Sequence, residues 1–203
     1  LVKEHFAGKE FLTTPMRKEV ERCRLAFETA AEGKQVAMIC SGDAGVYGMA
    51  GLMYELSEEW PDIEIKVIPG VTAATGGAAV LGAPLIHDFA LISLSDLLTP
   101  WELIEERLRC AGKADFVICL YNPSSRKRST YLAKACEIML EYKAEDTVCG
   151  IVKNIAREGE TMQTLTLKEL KETTVDMFST VFIGNKQTKV IREKMVTPRG
   201  YRI

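Results

Sequence analysis

The 203-residue sequence contains only two histidines, no C-x-x-C pair and no H-E-x-x-H pattern. These absences leave no spacing typical of metal ligands, so we expect no metal site. The sequence also lacks a G-x-S-x-G nucleophile elbow and a convincing Ser-His-Asp order, which argues against a hydrolase triad. No apolar run reaches the roughly 20 residues that a membrane helix needs, and no signal-peptide pattern opens the chain.

A strong excess of charge is also missing. The formal net charge is −2 at pH 7, so nothing global favours nucleic acid or a membrane surface as a partner. Any anionic partner must therefore be held by local basic clusters. The hydrophobic share of 47% and the charged share of 27% are those of an ordinary soluble globular protein.

The cysteines occur singly within apolar patterns, at Cys23, Cys40, Cys110, Cys119, Cys136 and Cys149. We interpret them as small buried side chains in a reducing compartment, which predicts a cytoplasmic protein. Disulfides or a metal site are the alternative interpretation.

A glycine-rich stretch, SGDAGVYGMAG at residues 41–51, follows an apolar run at 35–40 that predicts a buried strand. Its glycines recur at every third position, which is neither the G-x-G-x-x-G fingerprint nor a P-loop. Glycine lets another group approach the backbone closely, and that group is either a neighbouring segment or a ligand. Asp43 within the stretch either accepts a hydrogen bond from a ligand or caps the following helix.

A second stretch of small residues, PGVTAATGGAA at 69–79, follows a predicted strand at 63–68. It predicts either tight packing of a helix on a sheet or a second wall of the same ligand site. In an open α/β sheet, successive turns from strand to helix lie at the edge where ligands bind.

Strands and helices alternate along the chain, which predicts the α/β class with mostly parallel pairing. Helices are predicted from Thr14-Pro15 to Gly33, from a Thr99–Glu102 capping box to about 111, and over 129–142; strands are predicted over 89–94, 115–121, 147–153, 162–166 and 179–185, with a second capping box at Thr166–Glu169. The Gly-Ala-Pro break before residue 87 predicts two α/β domains, 1–88 and 89–203, with a cleft between them.

Two short polar motifs could carry chemistry. His87-Asp88 could act in acid–base catalysis, because histidine titrates near neutral pH and a carboxylate can orient it, or it could simply cap a loop. Arg126-Lys127-Arg128 would suit a substrate that carries carboxylates, although such a run is more often a solvated turn.

Taken together, several segments resemble the tetrapyrrole methylases of cobalamin and siroheme synthesis. These are residues 41–51, PGVTAA at 69–74 and GAPLIHDF at 82–89. The run ISLSDLLTPW at 92–101 and Tyr121-Asn122-Pro123 with its basic tail narrow the resemblance to the precorrin-3B C(17)-methyltransferase and cobalt-factor III methyltransferase branch. Family members open with a first strand and a G-x-G-P-G turn that this sequence lacks, so we expect residues to precede Leu1.

The resemblance implies S-adenosylmethionine, with S-adenosylhomocysteine as product, bound between two α/β domains, usually in a homodimer. The implied reaction is methylation of carbon 17 of the macrocycle with contraction of the ring. The resemblance places cofactor contacts at Ser41, Gly42, Asp43, Val46, Thr72, Ala73, Asn122 and Ile155. Candidates for proton transfer are His87, Asp88, Ser95 and Asp96. Candidates for binding the substrate carboxylates are Arg126, Lys127, Arg128, Lys153 and Arg157.

Alternative functions remain open. The chain could methylate another corrinoid position, or it could be a diphthine synthase or a ribosomal-RNA methylase of the same fold. The RNA alternative predicts a more basic surface than a net charge of −2 suggests. A different class is a nucleotide-binding module without catalysis, which the missing first strand would favour.

Overall fold

The structure is a computed structural model that describes residues 3–125 and 128–202. The chain divides into two compact units, one reaching to Thr72 and the other beginning at Ala73. The domain boundary after residue 88 lies further along the chain and stays a prediction.

The first unit contains a 3₁₀ turn at Lys3–His5 and two helices, α1 (Glu19–Ala31) and α2 (Ala50–Ser57). Helix α1 buries Cys23, Ala26 and Phe27, which recur at helical spacing on one face. The Phe27 ring stacks on Trp60 with 4.8 Å between ring centroids. Gly33 follows the helix with φ at +85° and donates its N–H to the Ala30 carbonyl at 2.9 Å, which confirms the predicted end of the helix.

The predicted start of this helix at Thr14-Pro15 is wrong. Arg17 adopts a left-handed backbone with φ at +66°, so the helix cannot run through it. The carbonyls of Thr14 and Pro15 instead accept hydrogen bonds from the Arg22 guanidinium at 3.3 and 3.1 Å. Residues 14–18 therefore form a turn that is tied to the first turn of α1.

The strands predicted at residues 35–40 and 63–68 are not observed as strands. Both segments are described, and neither forms part of a hydrogen-bonded ladder. Val36, Ile39 and Ile68 are exposed. An apolar pattern indicates which side chains are suited to burial. A strand also requires a neighbouring strand that binds its N–H and C=O groups, and the pattern does not specify that neighbour.

The second unit holds the remaining elements. They are α3 (Ala73–Leu81), β1 (Gly82–Ala83), β2 (Phe89–Ser93), α4 (Trp101–Lys113), β3 (Val117–Tyr121), α5 (Tyr131–Leu140), β4 (Val148–Lys153), β5 (Thr161–Thr166), α6 (Leu167–Glu172), β6 (Ser179–Ile183), β7 (Lys189–Ile191) and β8 (Lys194–Val196). The strands predicted between 89 and 185 are thus confirmed to within two residues at either end. Sequence analysis missed the short strands β1, β7 and β8, which form a small sheet in the order β1-β8-β7.

The main sheet of this unit has five strands in the order β2-β3-β6-β4-β5. Only β2 and β3 pair in parallel, and the other three ladders of this sheet are antiparallel, so the expectation of mostly parallel pairing is wrong. The reason is the position of β6, which lies between β3 and β4 and runs opposite to both. All five residues of β6 are buried, as a central strand requires.

Helices cover both faces of this sheet. The side chains of Ile118 and Leu120 pack with those of α4, α5 and α6 on one face. Cys119, which points the other way, packs with Ala74 and Ala78 of α3. The predicted tight packing of the small-residue segment on a sheet is thus confirmed for α3.

The two predicted capping boxes have different outcomes. At α6, the Thr166 side chain accepts the Glu169 N–H and the Glu169 carboxylate accepts the Thr166 N–H, which confirms the second box. At α4, the N-cap is Pro100 rather than Thr99, and no side chain caps the helix, so the first box is wrong. Proline has extended backbone here, with ψ at 144°, and therefore lies just outside the helix.

None of the helices within residues 3–125 and 128–202 has the length and apolarity needed to cross a bilayer.

Candidate functional site

In the first unit, the Asp43 carboxylate joins the two glycine turns. Its Oδ1 accepts the Gly45 N–H and its Oδ2 accepts the Gly70 N–H, each at 2.8 Å. These backbone hydrogen bonds, that from Gly70 first, lower the pKa of Asp43 below its ordinary value, because they favour the charged form. The carboxylate is therefore ionised at neutral pH and fixed between residues 41–51 and the turn at Gly70.

The glycines near Asp43 differ in whether the surrounding structure requires them. A Cβ at Gly70 would lie 2.2 Å from the Gly42 carbonyl oxygen, and a Cβ at Gly48 would lie 2.4 Å from that of Ala44. At these two positions the group that approaches the glycine is the backbone of the same unit. A Cβ at Gly51, in the first turn of α2, would meet no atom within 4 Å, so packing of the described residues does not explain this glycine.

In the second unit, the predicted site residues follow three strands that end at one edge of the main sheet. Strands β2 and β3 are parallel, and β4 runs in the same direction as β3 because both are antiparallel to β6. Their last residues are Ser93, Tyr121 and Lys153. The segments that follow carry Ser95, Asp96, Asn122 and Ile155. We call this side of the sheet the carboxyl edge.

Left-handed backbone occurs beside several of the predicted cofactor contacts. Four non-glycine residues there have positive φ: Tyr47 at 51°, Asn122 at 52°, Asn154 at 53° and Ala156 at 56°. Of the predicted contacts, Asn122 is itself left-handed, Val46 precedes Tyr47, and Ile155 lies between Asn154 and Ala156. Asparagine adopts such backbone readily, whereas at other non-glycine residues it costs about 1–3 kcal/mol and is found often at ligand sites. The segments around Tyr47 and Ala156 are therefore held in shapes that local preference alone does not provide.

Side-chain hydrogen bonds hold the carboxyl edge together. Ser93 Oγ accepts the Asn122 amide Nδ2–H at 2.9 Å and the Ser95 backbone N–H at 3.2 Å. The Tyr121 hydroxyl accepts the Ala74 N–H at 2.6 Å, which ties the first turn of α3 to the end of β3. Sequence analysis missed Ser93 and Tyr121, because the only signal was a polar residue at the end of an apolar strand.

Asp96 and Arg128 are engaged with protein groups. Asp96 Oδ2 accepts the Tyr131 O–H at 2.7 Å, and this hydrogen bond raises the pKa of Tyr131. The Arg128 guanidinium lies 3.8 Å from Asp96 Oδ1 and donates to the Leu94 carbonyl at 3.4 Å and the Ser125 hydroxyl at 3.1 Å. Arg128 therefore ties the loops after β2 and β3 together.

The structure does not bring the four candidates for proton transfer together. His87 and Asp88 precede β2, whereas Ser95 and Asp96 follow it. The Asp88 carbonyl accepts the N–H of Val117 at the start of β3, at the opposite edge of the sheet. Five strand residues separate the two edges by roughly 16 Å. Around His87, the ring Nδ1 accepts the Asp88 N–H at 2.9 Å, as in a local turn.

The remaining basic candidates lie at or beyond the end of β4. The Lys153 ammonium forms an ion pair with Asp176 at 2.8 Å. Arg157 is exposed in the loop that joins β4 to β5. Arg126 and Lys127 lie outside the described residues.

Comparison with family models identifies the family of this chain. The model of the tetrapyrrole (corrin/porphyrin) methylases matches residues 2–171. The chain belongs to this family.

Named relatives lie within the cobalamin branch. A protein of Salmonella typhimurium named probable cobalt-factor III C(17)-methyltransferase is 50% identical over 99% of this chain and 84% of its own length. A Priestia megaterium protein named cobalt-factor III methyltransferase is 44% identical over 99% of this chain, which spans only 38% of that protein. Among solved structures, the methyltransferase CobJ superposes with a TM-score of 0.86 at 35% identity, covering 96% of this chain and 84% of CobJ.

The glycine geometry predicts opposite effects of two alanine substitutions. Gly70→Ala should destabilise the protein by about 1–3 kcal/mol, because the new methyl group meets a backbone oxygen that cannot move independently. Gly51→Ala should be neutral or stabilise α2 by up to about 1 kcal/mol, because alanine has the higher helix propensity. Urea unfolding of both variants measures the difference, and equal stability of the two would contradict the described turn.

The Asp43 hydrogen bonds predict a dependence of stability on pH. The pKa of this carboxyl is lower in the folded than in the unfolded protein, so its contribution is complete above the unfolded value of about 3.9 and is lost as pH falls through the folded value. Asp43→Asn should therefore make the melting temperature less sensitive to pH below about pH 4. Melting curves from pH 2 to pH 6 test this, with the exposed Asp62→Asn as control; identical slopes for Asp43→Asn and wild type would contradict it.

Proposed function

We propose that this protein is an S-adenosylmethionine-dependent methyltransferase that methylates carbon 17 of precorrin-3B or cobalt-factor III, with contraction of the ring, in cobalamin biosynthesis. The observation that carries this proposal is the 50% identity, over 99% of the chain, to a relative named for that reaction. The described geometry supports it, because three strands of the second unit end at one edge of its main sheet, as in α/β sheets that bind ligands at their strand ends.

The residues proposed to bind the cofactor are Ser41, Gly42, Asp43, Val46, Thr72, Ala73, Asn122 and Ile155. When bound, S-adenosylmethionine supplies an electrophilic methyl group on a sulfonium. The groups present fit such a ligand. The ionised Asp43 is an acceptor for its ammonium or ribose hydroxyl groups, and the space above Gly51 is open. The left-handed backbone beside Val46, Asn122 and Ile155 is already formed, so little ordering is needed on binding.

Within this reaction, the protein mainly positions the reactants and excludes water, because methyl transfer requires an in-line approach of carbon to the methyl group. Ring contraction also requires proton transfers. We narrow the candidates for these to Ser95 and Asp96, which lie at the carboxyl edge beside Asn122. His87 and Asp88 lie at the opposite edge of the same sheet, roughly 16 Å from the segments that carry Ser95 and Asn122.

For the substrate carboxylates, we propose Arg126, Lys127, Lys153 and Arg157 as partners. Arg128 is the third residue of the basic turn, but its guanidinium already contacts Leu94, Ser125 and Asp96. Its proposed role is to hold the loops that carry the other groups.

Two further proposals concern the setting of the enzyme. We propose that it works in the cytoplasm, which its six free cysteines support. Burial raises the pKa of the Cys136 thiol to about 12, so this side chain is inert rather than reactive. We also propose a homodimer, because members of the family usually form one.

Calorimetric titration with S-adenosylhomocysteine tests the cofactor proposal. We expect micromolar binding by the wild type, loss of at least tenfold in affinity for Asp43→Ala, and a smaller loss for Thr72→Val. Binding should be followed by transfer of one methyl group to cobalt-factor III, detected by mass spectrometry of the macrocycle.

Asp62→Ala is the matched control, since it removes an exposed aspartate of the same unit. Melting curves of all variants separate loss of binding from loss of folding. A folded wild-type protein that binds no S-adenosylhomocysteine would overturn the methyltransferase proposal.

A further inference from the structure

The hydroxyl of Ser93, at the end of β2, serves as an acceptor for two protein groups. Its oxygen accepts two hydrogen bonds, from Asn122 Nδ2 at 2.9 Å and from the Ser95 N–H at 3.2 Å. A serine hydroxyl has two acceptor lone pairs and one O–H donor. Both lone pairs are therefore occupied by protein donors, and only the O–H remains to form a further bond.

No acceptor for that O–H is present among residues 3–125 and 128–202. Ser93 is half-buried rather than fully exposed. A hydroxyl in this state is a directed donor, because its two accepted bonds fix where the hydrogen can point.

The position of Ser93 places this donor beside the proposed ligand contacts. Ser93 pairs with Tyr121 across β2 and β3, so both side chains lie on the same face of the sheet. That face is the one covered by α3, because the Tyr121 hydroxyl binds the Ala74 N–H. The donor therefore lies near the first turn of α3, next to Asn122.

We propose that the Ser93 O–H donates a hydrogen bond to a carboxylate oxygen of a bound reactant, which makes Ser93 a binding residue at the carboxyl edge. The inference rests on the proposed methyltransferase function, in which both reactants carry carboxylates: the amino-acid end of the cofactor and the side chains of the tetrapyrrole. A charged acceptor is the strongest partner for a single hydroxyl donor.

Ser93→Ala removes the donor, and Ser93→Thr restores it. Asn122→Ala and the double variant show whether Ser93 acts only by holding Asn122. Ser57→Ala is the matched control, because the Ser57 hydroxyl donates to the Tyr54 carbonyl within α2, away from the carboxyl edge. Affinities for S-adenosylhomocysteine by calorimetry, and for cobalt-factor III by absorbance of the macrocycle, identify which reactant is bound.

We expect Ser93→Ala to weaken one of the two affinities by about tenfold, as for loss of a hydrogen bond to a charged group, with Thr restoring it to within about threefold. The melting temperature should change no more than in Ser57→Ala. The affected affinity names the reactant whose carboxylate is bound.

Two results would overturn the assignment while the proposed function stands. One is wild-type affinity of Ser93→Ala for both reactants. The other is that Ser93→Ala costs nothing once Asn122 is already alanine, which would mean that Ser93 acts only through Asn122. If the folded wild type binds neither reactant, the proposed function fails, and this assignment fails with it.

Discussion

The arrangement of the second unit depends on one strand, β6, which pairs with both β3 and β4. Its Val181 lies opposite Leu120 on one side and Ile151 on the other. Because β6 runs against both neighbours, they run in the same direction, and their ends meet at one edge. Strands in a sheet lie about 4.8 Å apart, so the residues after β3 and β4 are held roughly 10 Å from each other. That distance brings Asn122 and Ile155 within reach of one small ligand.

The first unit achieves a fixed shape by different means. No ladder holds residues 35–40 and 63–68, yet the glycine turns that follow them are joined by one carboxylate. Asp43 accepts an N–H from each turn, and the glycines allow the two backbones to approach until there is no space for a Cβ at Gly70. The Asp43 side chain thus joins two turns of the first unit, as β6 joins β3 and β4 in the main sheet.

Much of the second unit could be predicted from the sequence, because its signals are local. The strands follow apolar runs, and the Thr166–Glu169 capping box needs only two residues at the right spacing. The position of β6 could not be predicted in this way, since pairing order depends on contacts between distant segments. The left-handed Arg17 is a similar case, because arginine has no intrinsic preference for that backbone.

For the site as well, local features could be predicted from the sequence, whereas contacts between distant segments could not. Residue type and position indicated Asp43, and the family resemblance indicated Asn122; both have fixed hydrogen-bond partners. The sequence predictions did not distinguish the two ends of β2. His87 and Asp96 were therefore both candidates for proton transfer, although His87 precedes the strand and Asp96 follows it. Ser93 was not predicted, because a serine at the end of a strand is common. Its two accepted hydrogen bonds depend on the fold, which places Asn122 beside it.

The absence of a histidine from the carboxyl edge among the described residues also bears on the chemistry. The titratable and polar groups there are carboxylates, amides, hydroxyls and the cations of Lys153, Arg128 and Arg157; the Asp96 carboxylate is already bound by Tyr131 and faces Arg128. A carboxylate held in this way has a fixed position and orients the groups that it contacts. Methyl transfer suits such an edge, because its barrier is lowered mainly by alignment of two reactants and by exclusion of water, which rigid hydrogen-bonded loops provide.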